Sequence, residues 1–532
     1  MKLGDATSPA GNPAVLRLPG ILLCLSAFAL LKYSFGILIC DDAYITLAHA
    51  RSWNAGLGPI MSAQNPVCAT STPLHTIILA LEGLILRSTD YVSLAYFTNL
   101  GWDLAGLFFL YRIAKQGLRL SEPFALLALS ACALSVNFLA VSAYGMETPM
   151  YTALALAGTW FALYSESPMP GLALIGFLAP LARPEGALLP AVLILLRLRT
   201  LLRLRTQLPL RKDGGAASSW HRLSHHGFSD RATLACAAAT ALGLASFFWF
   251  NLHAYGHWLP HSILAKRLEI HVGLLEGLRS WFLNVFYKGP CLGGFTAITL
   301  ANLAAIAAAA AGYRRDRASG IPWELLAWPF LYFLFFTLTG ASYILFTWYY
   351  LPVLPFLILF LVAGMQRLTA ERLPEKAAWM GLFLFLAYVP AQTFRQQLPG
   401  KHIFAEAARE GRYRQAARIV DSLAEPGRTP LVMIDEVGAL GYYSHARILD
   451  THGLLSPEAL PYLGPAQGYF LRMAAMQDRF DPDWILGLRL AKDEGLLYPG
   501  EDGLFAGYEA VRVLRLPPHA YNMEMWRRGA PD

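Results

Sequence analysis

The sequence predicts an α-helical polytopic membrane protein with about eleven spanning helices, followed by an α/β domain at its C-terminal end. Three observations predict this fold class. Of the 532 residues, 55% are hydrophobic and only 15% are charged, which is too apolar for an ordinary soluble protein. Several apolar runs of 18 or more residues are long enough to cross a bilayer. The stretch from Gln396 to Asp532 contains no such run and has the pattern of a soluble domain.

The first apolar run, Leu16 to Ile39, is too long for the apolar part of a signal peptide, so we interpret it as a transmembrane helix. The segment Pro73 to Leu86 is short for a span, and we expect a re-entrant or surface helix there. Residues 1–395 therefore form the membrane domain, and residues 40–90 form its first outer loop, with helices on the membrane surface. The predicted spans are residues 16–38, 91–111, 122–142, 148–164, 171–183, 186–197, 232–252, 290–312, 322–340, 345–365 and 377–394.

The net charge of +7 gathers in short loops, which indicates membrane topology rather than nucleic-acid binding. The positive-inside rule places these loops and the N-terminus in the cytoplasm, so that the C-terminal domain is extracytoplasmic. The expected location is the cytoplasmic (inner) membrane of a bacterium. Within one basic loop, residues 200–230 are predicted to be a flexible linker.

The C-terminal domain, residues 396–532, is called the tail below. Its sequence predicts buried strands at residues 430–435, 483–488 and 508–516, and an amphipathic helix at residues 409–423. A compact α/β domain of this length is ordinary.

Two adjacent carboxylates, Asp41 and Asp42, follow the first apolar run and are the candidate catalytic residues. Placed at a membrane surface, a carboxylate can act as a general base on a substrate that arrives from the lipid. The structural alternative is that the pair marks a helix start, since carboxylates favour helix N-termini. Two acids exceed what one cap needs, and we favour the catalytic interpretation.

Charges inside apolar segments are a second group of candidates. Glu147 stands in a short turn between two predicted spans, and Arg183 and Glu185 interrupt two apolar helices. Burying an unpaired charge at that depth costs about 2.5–3.5 kcal/mol, so we expect them to face a polar cavity. The alternative is a proline kink with a local ion pair.

A third group lies in the predicted outer loop 253–289. Lys266 and Arg267 are candidates for binding a phosphate group. The alternative is that their side chains only extend to the membrane surface, as lysine and arginine near helix ends commonly do. Three histidines, His253, His257 and His261, are spaced to face one side of a helix. Interfacial hydrogen bonding to headgroups is favoured over a zinc site. Cys40 and Cys68 share one loop, but a disulfide is the less favoured interpretation.

The candidate residues suit the transfer of a group from a lipid phosphate to a hydroxyl. This reaction needs a carboxylate that abstracts a proton, cations that bind phosphate, and a membrane scaffold. The carboxylate takes the proton of the acceptor, and the cations stabilise the departing phosphate. The membrane delivers the lipid laterally. No cofactor is required, and a divalent metal at the acids is not favoured.

Several motifs, in matching order from about Leu16 to Asp450, resemble the GT-C superfamily of polyprenyl-phosphate-sugar glycosyltransferases. The branch they resemble most is that of the mycobacterial terminal arabinofuranosyltransferases and their bacterial relatives. The motifs are CDDAYITLAHARSWNAGLGPI, TSTPLHTIILALEGLIL, YGMETPMYTALALAG, LARPEGALLPA, HSILAKRL, WYYLPVLPFL and IDEVGALGYYSHARILDTHGL.

The resemblance implies a GT-C fold and an inverting transfer of one sugar, with Asp41 as base and Asp42 orienting the acceptor. It implies that Lys266 lies near the donor phosphate, and that Arg183 and Glu147 line the cavity. Family members often carry an Arg-Tyr pair where this chain has Tyr349 and Tyr350.

If that arginine contacts phosphate, Arg267 or a histidine such as His261 must serve here. His75 stands where relatives often have tryptophan, so the acceptor groove is expected to differ.

The leading hypothesis is therefore a glycosyltransferase acting on a polyprenyl-phosphate sugar, such as an arabinofuranose, and on a glycan, lipid or protein acceptor in contact with the bilayer. The alternative is a transporter or flippase that moves the lipid-linked sugar without chemistry, which intramembrane charge also suits. We find no internal repeat of the kind that transporters commonly show. A membrane scaffold for the tail ranks last, because it leaves Arg183 and the acid pair unexplained.

Overall fold

A computed structural model describes residues 13–207, 216–269, 273, 275–276, 278–279, 295–316, 321–339, 347–369, 403–464, 469–490, 507–514 and 521–529. The helices of the membrane domain are α1 (Pro13–Phe35), α2 (Asp41–Asn54), α3 (Pro73–Leu86), α4 (Tyr91–Arg112), α5 (Glu122–Ala133), α6 (Val136–Ala143), α7 (Thr148–Tyr164), α8 (Pro168–Ala182), α9 (Leu188–Gln207), α10 (Ala216–Tyr255), α11 (His261–Glu269), α12 (Phe295–Arg315), α13 (Glu324–Thr339) and α14 (Leu354–Thr369). The tail contains α15 (Ile403–Ser422), β1 (Leu431–Ile434), α16 (Gly438–Tyr443), β2 (Arg447–Asp450), α17 (Tyr469–Phe480), β3 (Trp484–Leu490), β4 (Tyr508–Leu514) and β5 (Tyr521–Arg528).

Most predicted helices are present, and three predictions about them are wrong. The predicted span at 345–365 is not one helix, because a short 3-10 helix, Thr347–Tyr349, and a turn precede α14, which begins at Leu354. The span at 122–142 is two helices, because the Ser135 side chain caps a new helix by accepting a hydrogen bond from the Phe138 N–H at 3.1 Å. Much of the predicted linker at 200–230 is helical, since α9 continues to Gln207 and α10 begins at Ala216. The predicted span at 377–394 lies outside the described residues.

The number of spanning helices stays a prediction. Within the described ranges, one helical stretch, Arg231–Tyr255, is by itself long and apolar enough to cross a membrane. Six shorter apolar helical segments of 10–17 residues accompany it. α8 and α13 have only 15 and 16 residues, and the arginines of α9 interrupt its apolar stretch, so none of the three is a full apolar span.

The membrane helices pack into one continuous apolar core. Its buried side chains come from α1 and α4 to α10, with α13 and α14 closing the other side. α8 and α10 run side by side, as do α4 and α7. This core surrounds the buried charges described below, which explains why a few polar groups can be held at fixed positions within it.

The tail is a five-stranded mixed sheet in the order β2-β1-β3-β5-β4. β1 pairs in parallel with β2 and β3, whereas β3 with β5 and β4 with β5 pair antiparallel. The three predicted strands are confirmed, but β4 is not buried. It is the edge strand beside β5, and most of its side chains are exposed.

The tail and the first loop share a second apolar core. Tyr44 and Leu47 of α2 belong to the same buried cluster as Tyr413, Val420 and Leu440 of the tail. At the edge of this cluster, the Tyr44 and Tyr443 hydroxyls lie 3.2 Å apart. The tail is therefore fixed against the helix that carries the two aspartates.

Candidate active site

The two aspartates occupy the first turn of α2, where carboxylates interact favourably with the helix dipole. Successive residues of a helix point about 100° apart. Asp41 and Asp42 therefore face different surroundings, one toward the tail and the other toward the membrane helices.

Both carboxylate oxygens of Asp41 are bonded to the tail. Oδ2 accepts a hydrogen bond from the Gly438 N–H and Oδ1 from the Ala439 N–H, each at 2.8 Å. Gly438 is required at this position, because a Cβ there would lie 1.8 Å from the backbone oxygen of Asp41. Asp41 thus joins α2 to the start of α16.

Asp42 faces the membrane helices. Within the part of the chain that the structure describes, its half-buried carboxylate has no hydrogen-bond or ion-pair partner, and its negative charge acts on the Tyr349 hydroxyl. The same hydroxyl experiences the charges of Arg183, Glu185 and Glu147. Asp42 and the buried charges that the sequence singled out elsewhere therefore act on the same tyrosine hydroxyl.

The motif Arg183-Pro184-Glu185-Gly186 breaks the chain between α8 and α9. Proline disfavours a helical conformation at the residue before it, and Arg183 is accordingly extended at φ −151° and ψ 151°. A short 3-10 helix, Pro184–Ala187, follows. Gly186 packs directly on the Ala179 carbonyl oxygen, which a Cβ would approach to 1.8 Å. The break turns Arg183 and Glu185 into the core.

The side chains around Arg183 form what we call the arginine cluster: Arg183, Glu147, Glu185, Tyr332 and Tyr349. Nε of Arg183 lies 2.9 Å from Glu147 Oε1 and 3.4 Å from Glu185 Oε1, and Nη1 donates to the Tyr332 hydroxyl at 2.9 Å. The guanidinium carbon stands 4.7 Å from the centre of the Tyr349 ring. Only 2% of Arg183 is exposed. The structure therefore agrees with the alternative interpretation of this motif, a proline kink with local ion pairs, and the ion pairs are buried.

The turn that carries Glu147 is held by the first loop. The Cys40 N–H donates to the Tyr144 carbonyl at 3.1 Å, and Nε2 of His75 donates to the Gly145 carbonyl at 3.2 Å. His75 is fully buried. Cys68 has a free thiol, so no disulfide joins it to Cys40.

Acid should destabilise the first loop through two buried histidines. Burial lowers the pKa of both His49 and His75 to about 4, from an ordinary value near 6.5. Between these values the unfolded chain binds protons that the folded chain does not, so stability falls as the pH drops from about 6.5 to about 4. At pH 5 the expected loss is about 2 kcal/mol for each histidine. Thermal unfolding in detergent at pH 7.5 and pH 5 measures it.

The matched variants are His49→Gln, His75→Gln and His253→Gln, since His253 is exposed. Each of the first two should be less stable than the parent at pH 7.5 but should lose less stability between pH 7.5 and pH 5. His253→Gln should leave the pH dependence unchanged. An unaltered pH dependence in both buried variants would contradict the prediction.

Lys266 lies on α11, which packs against the tail rather than inside the arginine cluster. A Cβ on Gly453 of the tail would be 3.6 Å from the Cβ of Ala265, the residue before Lys266. At the end of α10, the Tyr255 hydroxyl donates to the Pro59 carbonyl at 2.8 Å. The segment that carries Lys266 is thus attached to both the first loop and the tail. Arg267 belongs to α11, but its side chain lies outside the described part.

The three histidines before Lys266 do not converge. The rings of His257 and His261 are 5.1 Å apart, whereas His253 stacks on Trp249 at 5.2 Å. Burial and the neighbouring His257 lower the pKa of His261. Across the described residues, no group of three or more His, Cys, Asp or Glu side chains is arranged to hold a metal ion.

Sequence reasoning missed a second buried charge pair. Lys32 of α1 and Asp103 of α4 are both fully buried, with Nζ 2.9 Å from Oδ2. A lysine and an aspartate inside two apolar runs could have been noticed, because ionisable groups in such segments usually have a partner and a role. Nothing in the sequence says that these two residues are partners.

The fold and the site define a mostly helical protein, with buried charged and polar side chains between its helices and a small α/β domain. Two solved structures of ArnT from Cupriavidus metallidurans are similar to it. The apo structure is 12% identical with a TM-score of 0.51, and the match covers 96% of this chain and 98% of ArnT. The structure bound to undecaprenyl phosphate is 14% identical with a TM-score of 0.48, covering 97% and 98%.

The match to the apo structure shows that the chain has the same fold as that ArnT structure. A family model described as "Domain of unknown function (DUF8728)" matches residues 402–526, within the tail. No curated protein sequence matches the chain. The similarity to arabinofuranosyltransferases stays a prediction from the sequence.

Proposed function

We propose that the protein is an inverting glycosyltransferase that moves a single sugar from a polyprenyl-phosphate donor to an extracytoplasmic glycan, lipid or protein acceptor. One observation carries the proposal. In a fold similar to that of ArnT, the Asp42 carboxylate is half-buried and has no hydrogen-bond or ion-pair partner among the described residues, and its charge acts on Tyr349 of the arginine cluster. A carboxylate with available lone pairs in a partly desolvated position is suited to act as a general base.

The reaction is a single displacement. Asp42 takes the proton of the acceptor hydroxyl as its oxygen bonds to the anomeric carbon of the sugar. The bond from that carbon to the phosphate oxygen breaks at the same time, with inversion, and polyprenyl phosphate leaves with the electron pair. The base is Asp42 rather than Asp41, because both oxygens of Asp41 already accept backbone hydrogen bonds.

The arginine cluster supports the base indirectly. Arg183 is occupied by two carboxylates, a tyrosine hydroxyl and an aromatic ring, so it fixes Glu147 and Tyr349 instead of receiving the phosphate. Tyr349 in turn experiences the charges of both Glu147 and Asp42. His75 contributes by holding the Gly145 carbonyl.

The donor phosphate is assigned to Lys266, with Arg267 and His261 on the same helix. α11 lies beside the tail and is joined through α10 to the first loop, which suits a lipid headgroup entering from the membrane. Cations at that position would stabilise the charge on the departing phosphate. The sequence resemblance favours arabinofuranose as the sugar and the outer face of the cytoplasmic membrane as the place of reaction.

The test is donor turnover by the purified full-length chain in detergent. Incubation with polyprenyl-phosphate arabinofuranose and acceptor glycan should yield free polyprenyl phosphate and an extended acceptor, also in the presence of EDTA. A transporter without chemistry would release no polyprenyl phosphate. Absence of release across a panel of polyprenyl-phosphate sugars, with no acceptor modified, would contradict the proposal.

A further inference from the structure

The turn at residues 142–147 is the point where four helices and the arginine cluster meet. We call it the 142–147 turn. The first loop holds the carbonyls of Tyr144 and Gly145, as described above, and Arg183 holds the carboxylate of Glu147. Two further carbonyls, those of Ser142 and Met146, are held by side chains of α1 and α4.

The contact from α1 is made by Lys32. Its Nζ donates to the Ser142 carbonyl at 3.1 Å and to Asp103 Oδ2 at 2.9 Å. The same carboxylate oxygen of Asp103 accepts a short hydrogen bond from the Ser142 hydroxyl. Ser142 is therefore bonded through both its backbone and its side chain to one buried ion pair.

The contact from α4 is made by Asn99, one helical turn before Asp103. Its Nδ2 donates to the Met146 carbonyl at 2.9 Å, directly before Glu147. Lys32, Asn99 and Asp103 are all essentially unexposed. Burying an ion pair is costly, and replacing one by apolar groups of similar volume is often neutral or stabilising. Stability alone therefore does not explain why this pair is charged.

We propose that Lys32, Asn99 and Asp103 form a buried anchor that fixes the 142–147 turn and so sets the position of Glu147 in the arginine cluster. They are positioning residues, since they act through the turn and not on substrate. The anchor works because four carbonyls of the turn, those of Ser142, Tyr144, Gly145 and Met146, accept from donors on four separate segments. These donors belong to α1, to the residue before α2, to α3 and to α4, and together they fix the position of the turn. The expected effect of the anchor on catalysis rests on the proposed function. Its effect on the position of the turn does not.

The test compares Lys32→Met, Asp103→Asn and the double variant with a matched control pair. Lys115 and Glu122 also form an ion pair, at 3.2 Å and partly exposed, away from the turn, and Lys115→Met with Glu122→Gln is the control. Each single variant leaves a buried charge without its partner and should fold poorly. The double variant removes both charges and should unfold within a few degrees of the parent.

In the folded double variant, hydrogen exchange of the 142–147 peptide should be at least tenfold faster, and kcat should fall at least tenfold with KM for the lipid donor unchanged. The control pair should match the parent in both. If the hydrogen exchange of this peptide and the kcat of the double variant equal those of the parent, the proposal is overturned. If the parent itself releases no polyprenyl phosphate, the proposed function fails, and the exchange measurement still decides the anchor.

Discussion

Replacing Asp42 with asparagine is expected to lower the rate of sugar transfer by roughly 10²–10⁴-fold, with folding and donor binding retained. The amide is nearly isosteric with the carboxylate but cannot accept the proton of the acceptor hydroxyl. Because Asp42 has no hydrogen-bond or ion-pair partner among the described residues, the substitution breaks no contact that stabilises the fold. Release of polyprenyl phosphate measures the rate, and thermal unfolding checks the fold.

The matched control is Asp41→Asn, one residue away. One of the two backbone hydrogen bonds to α16 would be lost, so the tail should become more sensitive to protease while transfer falls much less than in Asp42→Asn. Gly438→Ala should have the same effect, since its Cβ would clash with the Asp41 carbonyl. A larger loss of transfer in Asp41→Asn than in Asp42→Asn would reverse the assignment of the base.

Replacing Arg183 with methionine is expected to destabilise the protein by about 3–5 kcal/mol, because it leaves Glu147 and Glu185 buried without their cation. Both carboxylates have less than a tenth of their side chains exposed. Denaturant unfolding in detergent measures the change. Adding Glu147→Gln to Arg183→Met should recover part of the stability, since it removes one of the uncompensated charges.

The control for this prediction is Arg199→Met. Arg199 pairs with Glu324 at 3.4 Å, but 37% of its side chain is exposed, and exposed pairs contribute about 0–1 kcal/mol. The two arginines therefore differ in burial and in the number of carboxylates they pair with, two for Arg183 and one for Arg199. If the two substitutions destabilise the protein equally, the charges of the arginine cluster do not depend on one another for their stability.

Local chemistry explains which parts of the site were predictable from the sequence. Pro184 predicts that the helix ends at or before Arg183. A charged residue within an apolar run predicts a buried partner for that charge. Glu147 and Arg183 were identified in this way, Asp42 was identified from the acid pair after the first apolar run, and Tyr349 only from the family resemblance. In the structure the charges of the other three act on the Tyr349 hydroxyl. The helix at Pro73–Leu86 was predictable from its apolar length alone.

Partners that are distant in sequence were not predictable. The Asp41 carboxylate meets Gly438 across 397 residues, and Lys32 meets Asp103 across 71. Neither contact leaves a periodic signal in the sequence, so the roles of two adjacent aspartates could not be separated. The exposed position of β4 was missed because strand propensity does not distinguish an edge strand from a central one.

The sequence by itself determined that the protein is mostly helical with a small α/β domain, and it determined most helices and the residue types that could carry chemistry. Apolar length, proline and charge act locally along the chain. The tertiary structure decided which aspartate docks the tail and which faces the polar centre. It also decided that Arg183 is enclosed by its partners and that a lysine of the first helix holds the 142–147 turn. These outcomes depend on packing between segments far apart in the chain, since only packing fixes which buried donor meets which acceptor.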